Sequence, residues 1–315
     1  VTLHTVLAVG RVLAPGDPDY PASLRRLARP PERLRARGVL PTWDRAVAIV
    51  GTRRASERGL ALARELARAL GSEGCVIVSG GASGIDHAAH LGALDAGAPT
   101  VVVHASGLSR PYPAAHGPLF ARVVRDGGCE LSELDDDERP RRHTFLDRNR
   151  IVAALSRAVV VVEAPLRSGA LSTAAQARAV GVPLLAVPRV PPVPEAEGSN
   201  ALLRGGAAPC LDASDVLSVL RDAPAYPVVS ERRRGPARPA SSGLCPTPRA
   251  PHGSPEVLGP SARAVADALA RGPADLEQVA ERTGLGVAAL QAAVAELELL
   301  GALVVSSTGQ LELLG

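Results

Sequence analysis

Three short segments carry the residue types most able to do chemistry: Gly51-Thr52-Arg53-Arg54, Gly80-Gly81-Ala82-Ser83-Gly84 and Arg167-Ser168-Gly169. Each follows an apolar run and precedes a helical pattern, so free amides and a helix dipole favour an anion there. Gly51 permits a sharp turn, and Thr52 can cap the next helix or bond a phosphate oxygen. Arg53 and Arg54 supply forked, charge-assisted donors. Gly80, Gly81 and Gly84 allow close backbone approach, and Ser168-Gly169 does the same from another strand. One such loop serves packing more often than ligand contact. Three on one sheet edge, one with paired arginines, point to a phosphate-bearing ligand. Gly-Lys-Ser/Thr and Gly-x-Gly-x-x-Gly patterns are absent, which argues against a nucleotidase motor or a dinucleotide cofactor.

A second constellation is Arg141-Arg142-His143-Thr144-Phe145-Leu146-Asp147-Arg148-Asn149-Arg150. A single-strand site needs an aromatic ring to stack a base and guanidinium groups to track the backbone. The same residues also read as core (Phe145) and internal salt bridges (Arg148, Arg150). His87 and His90, near Asp86, suit helix-surface or capping roles better than a metal site. Glu163 is the one acid well placed for chemistry, and no nucleophile–base–orienter set surrounds it. Cys75, Cys129, Cys210 and Cys245 lie far apart, without metal or disulfide spacing.

The elements that position these residues alternate strand and helix. Strands are expected at 46–50, 75–79, 100–104, 158–163 and 183–187. Helices are expected at about 57–70, 85–96, 118–125, 147–156 and 171–180. Continuous apolar strands between helices predict a Rossmann-like parallel sheet covered on both faces, with the loops at the strands' C-terminal ends. Residues 1–44 form an extension packing on this 45–221 domain, and 222–258 read as a Pro/Arg-rich linker containing Arg232-Arg233-Arg234. In 259–315, three helices and a hairpin turning at Thr308-Gly309 predict a winged helix. Its groove-facing helix would carry Glu296 and Glu298 and no basic residue, which suits protein contact better than DNA reading.

The chain has 315 residues, 46% of them hydrophobic, and a net charge of +3. Residues 261–315 carry −4, which leaves +7 on the remainder. A basic body suits a polyanion. No membrane span or secretory signal is expected, and a reducing cytoplasm is the natural setting.

The motifs Ile49-Val50-Gly51-Thr52-Arg53, Val78-Ser79-Gly80-Gly81-Ala82 with Gly84-Ile85-Asp86, Phe145 with Arg148-Asn149-Arg150, and Glu163-Ala164-Pro165-Leu166-Arg167-Ser168-Gly169 resemble the DprA/Smf family, as does Gly198-Ser199-Asn200. The resemblance implies a non-enzymatic DNA-processing protein of natural transformation. Such a protein binds and protects single-stranded DNA, forms homodimers and loads RecA recombinase. It also implies a pocket of Gly51, Thr52, Arg53, Arg142 and Phe145. Ser83, Leu146 and Arg189 depart from frequent family residues, and Asp147 adds a negative charge beside the pocket. Two other readings are a nucleoside-monophosphate phosphoribohydrolase-like enzyme and a protein-docking adaptor. The first needs a Pro-Gly-Gly-x-Gly-Thr loop that 165–169 lacks.

Overall fold

The computed structural model describes residues 10–222 and 259–313, apart from 271, 273, 300–302 and 306–309. The linker with its arginine triplet, Cys245, the Thr308-Gly309 turn and the side chains of Glu296 and Glu298 lie outside the described residues. The chain divides into two compact units, Val1–Ser230 and Glu231–Gly315.

The first unit runs β1 (Arg11–Leu13), β2 (Leu34–Gly38), β3 (Ala46–Val50), α1 (Glu57–Ser72), β4 (Val76–Ser79), α2 (Ile85–Asp95) and β5 (Thr100–Val103). It continues through α3 (Gly117–Arg125), β6 (Cys129–Ser132), α4 (Arg142–Leu155), β7 (Ala158–Val161), α5 (Gly169–Ala179), β8 (Leu184–Ala186), α6 (Glu197–Arg204), β9 (Ala208–Pro209) and α7 (Ala213–Asp222). The nine strands form one sheet in the order β1-β2-β6-β5-β4-β3-β7-β8-β9.

From β6 to β9 every pairing is parallel. The expected parallel sheet is extended at one edge by two strands of the other sense, where β2 pairs antiparallel with both β6 and β1. Only β-α-β crossovers force parallel pairing. Residues 14–33, between β1 and β2, run through turns and one short helical segment, Ala22–Arg26, so these strands are free to run the other way.

β3 is fully buried because both its faces are covered. Ala46, Ala48 and Val50 point into a core shared with Ile151 and Leu155 of α4 and Leu171 of α5. Val47 and Ile49 point the other way, against Leu66 and Leu70 of α1 and Ile85 of α2. The period-2 alternation of a strand thus feeds two separate cores. From β3 the chain winds outward through β4, β5 and β6, then returns to β7 on β3's other side. That reversal opens a crevice beyond the carboxyl ends of β3 and β7, where open α/β sheets place ligands.

The second unit contains α8 (Pro260–Leu269), α9 (Leu276–Thr283), α10 (Val287–Leu299), β10 (Leu303–Val305) and β11 (Leu311–Leu313). Asp275 caps α9 by accepting from the Gln278 amide at 2.8 Å, with Gln278 reaching back to the Asp275 amide. β10 and β11 pair antiparallel, and Ala274 adds a bridge to Leu311. Val265, Leu269, Val279, Leu297 and Leu303 bury the unit's own small core. Among the described residues, no helix is long and apolar enough to cross a membrane.

Candidate nucleic-acid interface

A cleft of about 310 Å3 lies at the β3/β7 reversal. Four segments line it. The β3–α1 turn contributes Gly51, Thr52, Arg53 and Arg54; the β4–α2 loop contributes Gly80; α4 contributes Phe145, Arg148 and Asn149; and the start of α5 contributes Ser168 and Gly169. Ten of the twelve residues singled out in the sequence are thereby brought together.

Two are not. Gly81 is buried away from the cleft, in a left-handed conformation (φ 67°) where a Cβ would press on Val102 and Phe120. Its role is the turn and the packing, not ligand approach. Arg142 is exposed in the first turn of α4 and does not line the cleft. Arg167, Leu146 and Asp86 line it as well, although the sequence reading placed none of them among the twelve binding residues.

The first turn is built around the main chain of Glu163. The Thr52 amide donates to the Glu163 carbonyl at 2.7 Å, and Thr52 Oγ1 accepts from the Arg54 amide at 3.2 Å. Thr52 is buried, whereas Arg53 and Arg54 are exposed. The Arg53 guanidinium lies 4.6 Å from the Phe145 ring centroid, a cation–π stack. Tyr112 meets the same ring edge-on at 5.7 Å. Phe145 is half-buried, so it is not ordinary core. α4 begins at Arg142, five residues before the expected start. Thr144 Oγ1 accepts from the Arg141 amide at 3.0 Å and donates to the Ala105 carbonyl at 2.7 Å, which pins that first turn to the β5 loop.

Two amides of the β4–α2 loop are not free for an anion as expected. The amides of Gly80 and Ala82 both donate to Asp86 Oδ2, at 3.1 and 3.4 Å. Beneath them Arg148 Nη1 donates to the Val103 carbonyl at 2.6 Å. A Cβ on Gly80 would overlap this guanidinium, so the glycine is required by the arginine under it. Burial holds the Asp86 carboxyl above its usual range, and Arg148 and the two amides offset only part of that rise. Arg148 therefore forms the cleft floor rather than a mobile donor on its rim. Arg150 is internal too, bridging Glu133 at 2.5 Å. Asn149 Nδ2 donates to the Gly169 carbonyl at 3.2 Å and locks α4 to α5.

Glu163 is fully buried. It accepts from the Ser56 amide at 2.8 Å and the Ser56 hydroxyl at 2.6 Å, and Arg189 approaches at 3.6 Å. Its charge holds the N-terminus of α1. His90 is also structural: Thr100 Oγ1 donates to the Ile77 carbonyl, so His90 Nδ1–H must donate to Thr100 at 2.8 Å. Among the described residues no group of three or more His, Cys, Asp or Glu could hold a metal ion.

Several surface arginines are neutralised by carboxylates, and those at the rim of the cleft are not. Arg35, Arg64, Arg68, Arg122 and Arg150 each pair with a carboxylate. Arg53, Arg54, Arg142 and Arg167 are exposed, and among the described residues none has a carboxylate within 4.0 Å. With the Gly80 and Ala82 amides taken by Asp86, the formal positive charge facing an anion here is that of the rim guanidinium groups.

The family model for DNA recombination-mediator protein A matches residues 11–221. The chain belongs to the DprA family. A second model, the DprA winged helix domain, matches residues 248–307. The chain is 37% identical over 307 residues to a putative DNA processing protein DprA of Mycobacterium tuberculosis, covering 93% of this chain and 74% of that protein. It is 34% identical to protein Smf of Synechocystis, covering 92% and 76%. DNA processing protein A from Helicobacter pylori, solved for its unique single-stranded DNA binding mode, superposes with a TM-score of 0.61 at 32% identity, covering 67% of this chain and 95% of that one. DprA from Streptococcus pneumoniae gives 0.62 at 34% identity, covering 68% and 75%.

Proposed function

We propose that this DprA protein binds single-stranded DNA at the β3/β7 cleft, without base-sequence preference and without chemistry of its own. It protects incoming strands in natural transformation and, as a homodimer, hands them to RecA recombinase. One observation carries the reading: an exposed Arg53, without a carboxylate partner among the described residues, stacked on a half-buried Phe145 at the topological reversal of the sheet. That pairing offers a phosphate a forked donor and a base a ring within one nucleotide's reach. The single-strand binding reported for the Helicobacter pylori relative supports it. Gly51, Thr52, Arg53, Arg54, Phe145, Ser168 and Gly169 touch the strand; Gly80, Arg148 and Asn149 hold the cleft's shape; Arg142 reaches the backbone beyond it. A hydrolytic reading would need Glu163, whose oxygens are engaged by Ser56 and Arg189.

Fluorescence anisotropy with poly-dT tests the site. Arg53→Glu is expected to weaken binding at least a hundredfold, and Phe145→Ala by about tenfold, from a stacking loss of ~1–3 kcal/mol. Unchanged affinity in Arg53→Glu removes the site. Displacement of a bound single-strand-coating protein by RecA, with and without this protein, reads the loading step.

A further inference from the structure

A second cavity, about 470 Å3, lies along α1 and α2 and shares Arg53 and Arg54 with the cleft. The two recesses are separated by a ridge of loops packed directly on one another. The Ile85 amide donates to the Thr52 carbonyl at 3.3 Å. Gly84, at φ 82°, lies so close that a Cβ would overlap that same carbonyl. We propose that this groove is a nucleobase subsite: the strand held in the cleft crosses the Arg53-Arg54 ridge and lays its next base between α1 and α2. The inference rests on the single-strand reading above and extends the strand's path beyond it.

The groove's chemistry selects such an occupant. Leu60, Ala61, Ala88 and Leu91 give it apolar walls, and no carboxylate lines it. Its border is cationic. Arg64 is answered by Asp95 at 2.6 Å, but Arg53 and Arg54 have no such partner among the described residues. An apolar recess bordered by unanswered guanidinium groups fits a flat body flanked by phosphates, and its size falls within the ~300–1,000 Å3 of small-molecule sites. Two imidazoles complete the wall. His116 lies 3.0 Å from the Gly81 carbonyl, which only accepts, so its Nδ1–H donates. In the tautomer with the proton on Nδ1, Nε2 is an acceptor, the complement of a base imino N–H. The His87 ring lies 4.4 Å from it, tilted by 53°.

The test uses the full chain and dT oligomers carrying one abasic nucleotide at successive positions, read by anisotropy. Two adjacent abasic positions are expected to weaken binding, one for the Phe145 stack and one for the groove. Ala61 is exposed, so Ala61→Trp fills the groove without entering either core. This variant should bind intact dT about tenfold more weakly and lose the second abasic penalty while keeping the first. Ser72→Trp, exposed at the far end of α1, should keep both. A wild-type affinity and abasic pattern in Ala61→Trp, with Arg53→Glu still crippled, overturns the groove and leaves the cleft standing. Equal losses for every oligomer also overturn it, because the tryptophan then acts on the cleft. If the wild type binds no dT at all, both readings fall.

Discussion

Gly80 has an arginine directly beneath it, and that contact sets the clearest single-residue expectation. Gly80→Ala must displace the buried Arg148 guanidinium or the loop above it. A stability loss of about 1–3 kcal/mol is expected, as for other over-packed sites, measured by urea unfolding. His90 sets the acid limit. Burial lowers its pKa from 6.5 to about 3, with smaller contributions from the neighbouring His87, His104, Arg148 and His116 side chains. A folded-state pKa below the unfolded one means the unfolded chain takes the proton first. This group's stability is therefore intact above pH 6.5 and is lost as pH falls toward 3. Between about pH 7 and pH 5 the cost is about 2 kcal/mol, and His90→Gln should flatten the stability–pH curve by that amount. Residue types alone did mark Arg53 and Phe145, because guanidinium and aromatic groups side by side imply one chemistry. They could not separate Arg148 and Arg150 from their exposed neighbours. Burial of a cation depends on which backbone carbonyls and carboxylates the fold brings under it, and Val103 and Glu133 are distant in sequence.

At the scale of elements, the cleft depends on where three helices begin. The start of α1 is held from across the sheet by Glu163, through Ser56. Ser56→Ala is expected to remove about 1 kcal/mol of capping energy and to leave the Glu163 carboxylate underbonded. The Arg53 turn just before α1 should then loosen, and poly-dT affinity should fall severalfold. Comparing the thermal melt with the binding curve reads both effects. The five central strands were legible because each is a run of Val, Ile, Ala and Leu too apolar for anything but a doubly covered sheet. β1, β2, β6 and β9 were not. They are two to five residues long, and β2 reads Leu-Arg-Ala-Arg-Gly, an edge pattern whose pairing with β6 is a tertiary fact. The early start of α4 was missed for a related reason: Thr144 acts as its anchor by bonding Ala105, outside any local window.

Over the whole molecule, charge is partitioned: the 261–315 segment is acidic and the remainder basic. Capture by about four unpaired arginines predicts that log affinity for poly-dT falls with log salt at a slope near −3, from roughly −0.7 per phosphate contact. Arg167→Gln should make that slope shallower by about 0.7 without imposing a base preference. A slope near zero would mean that apolar contacts, not phosphates, hold the strand. The winged-helix unit's first two helices were readable from periodicity, because α8 and α9 each present one apolar stripe. The reversal of strand order at β3 has a consequence of a different kind. It draws the walls of the cleft from stretches near residues 51, 80, 148 and 168, which are remote along the chain and adjacent only once the sheet is complete. A partly assembled chain thus has no cleft to offer. Oligonucleotide present in excess should therefore hold the finished fold against heat, by mass action on the native state alone.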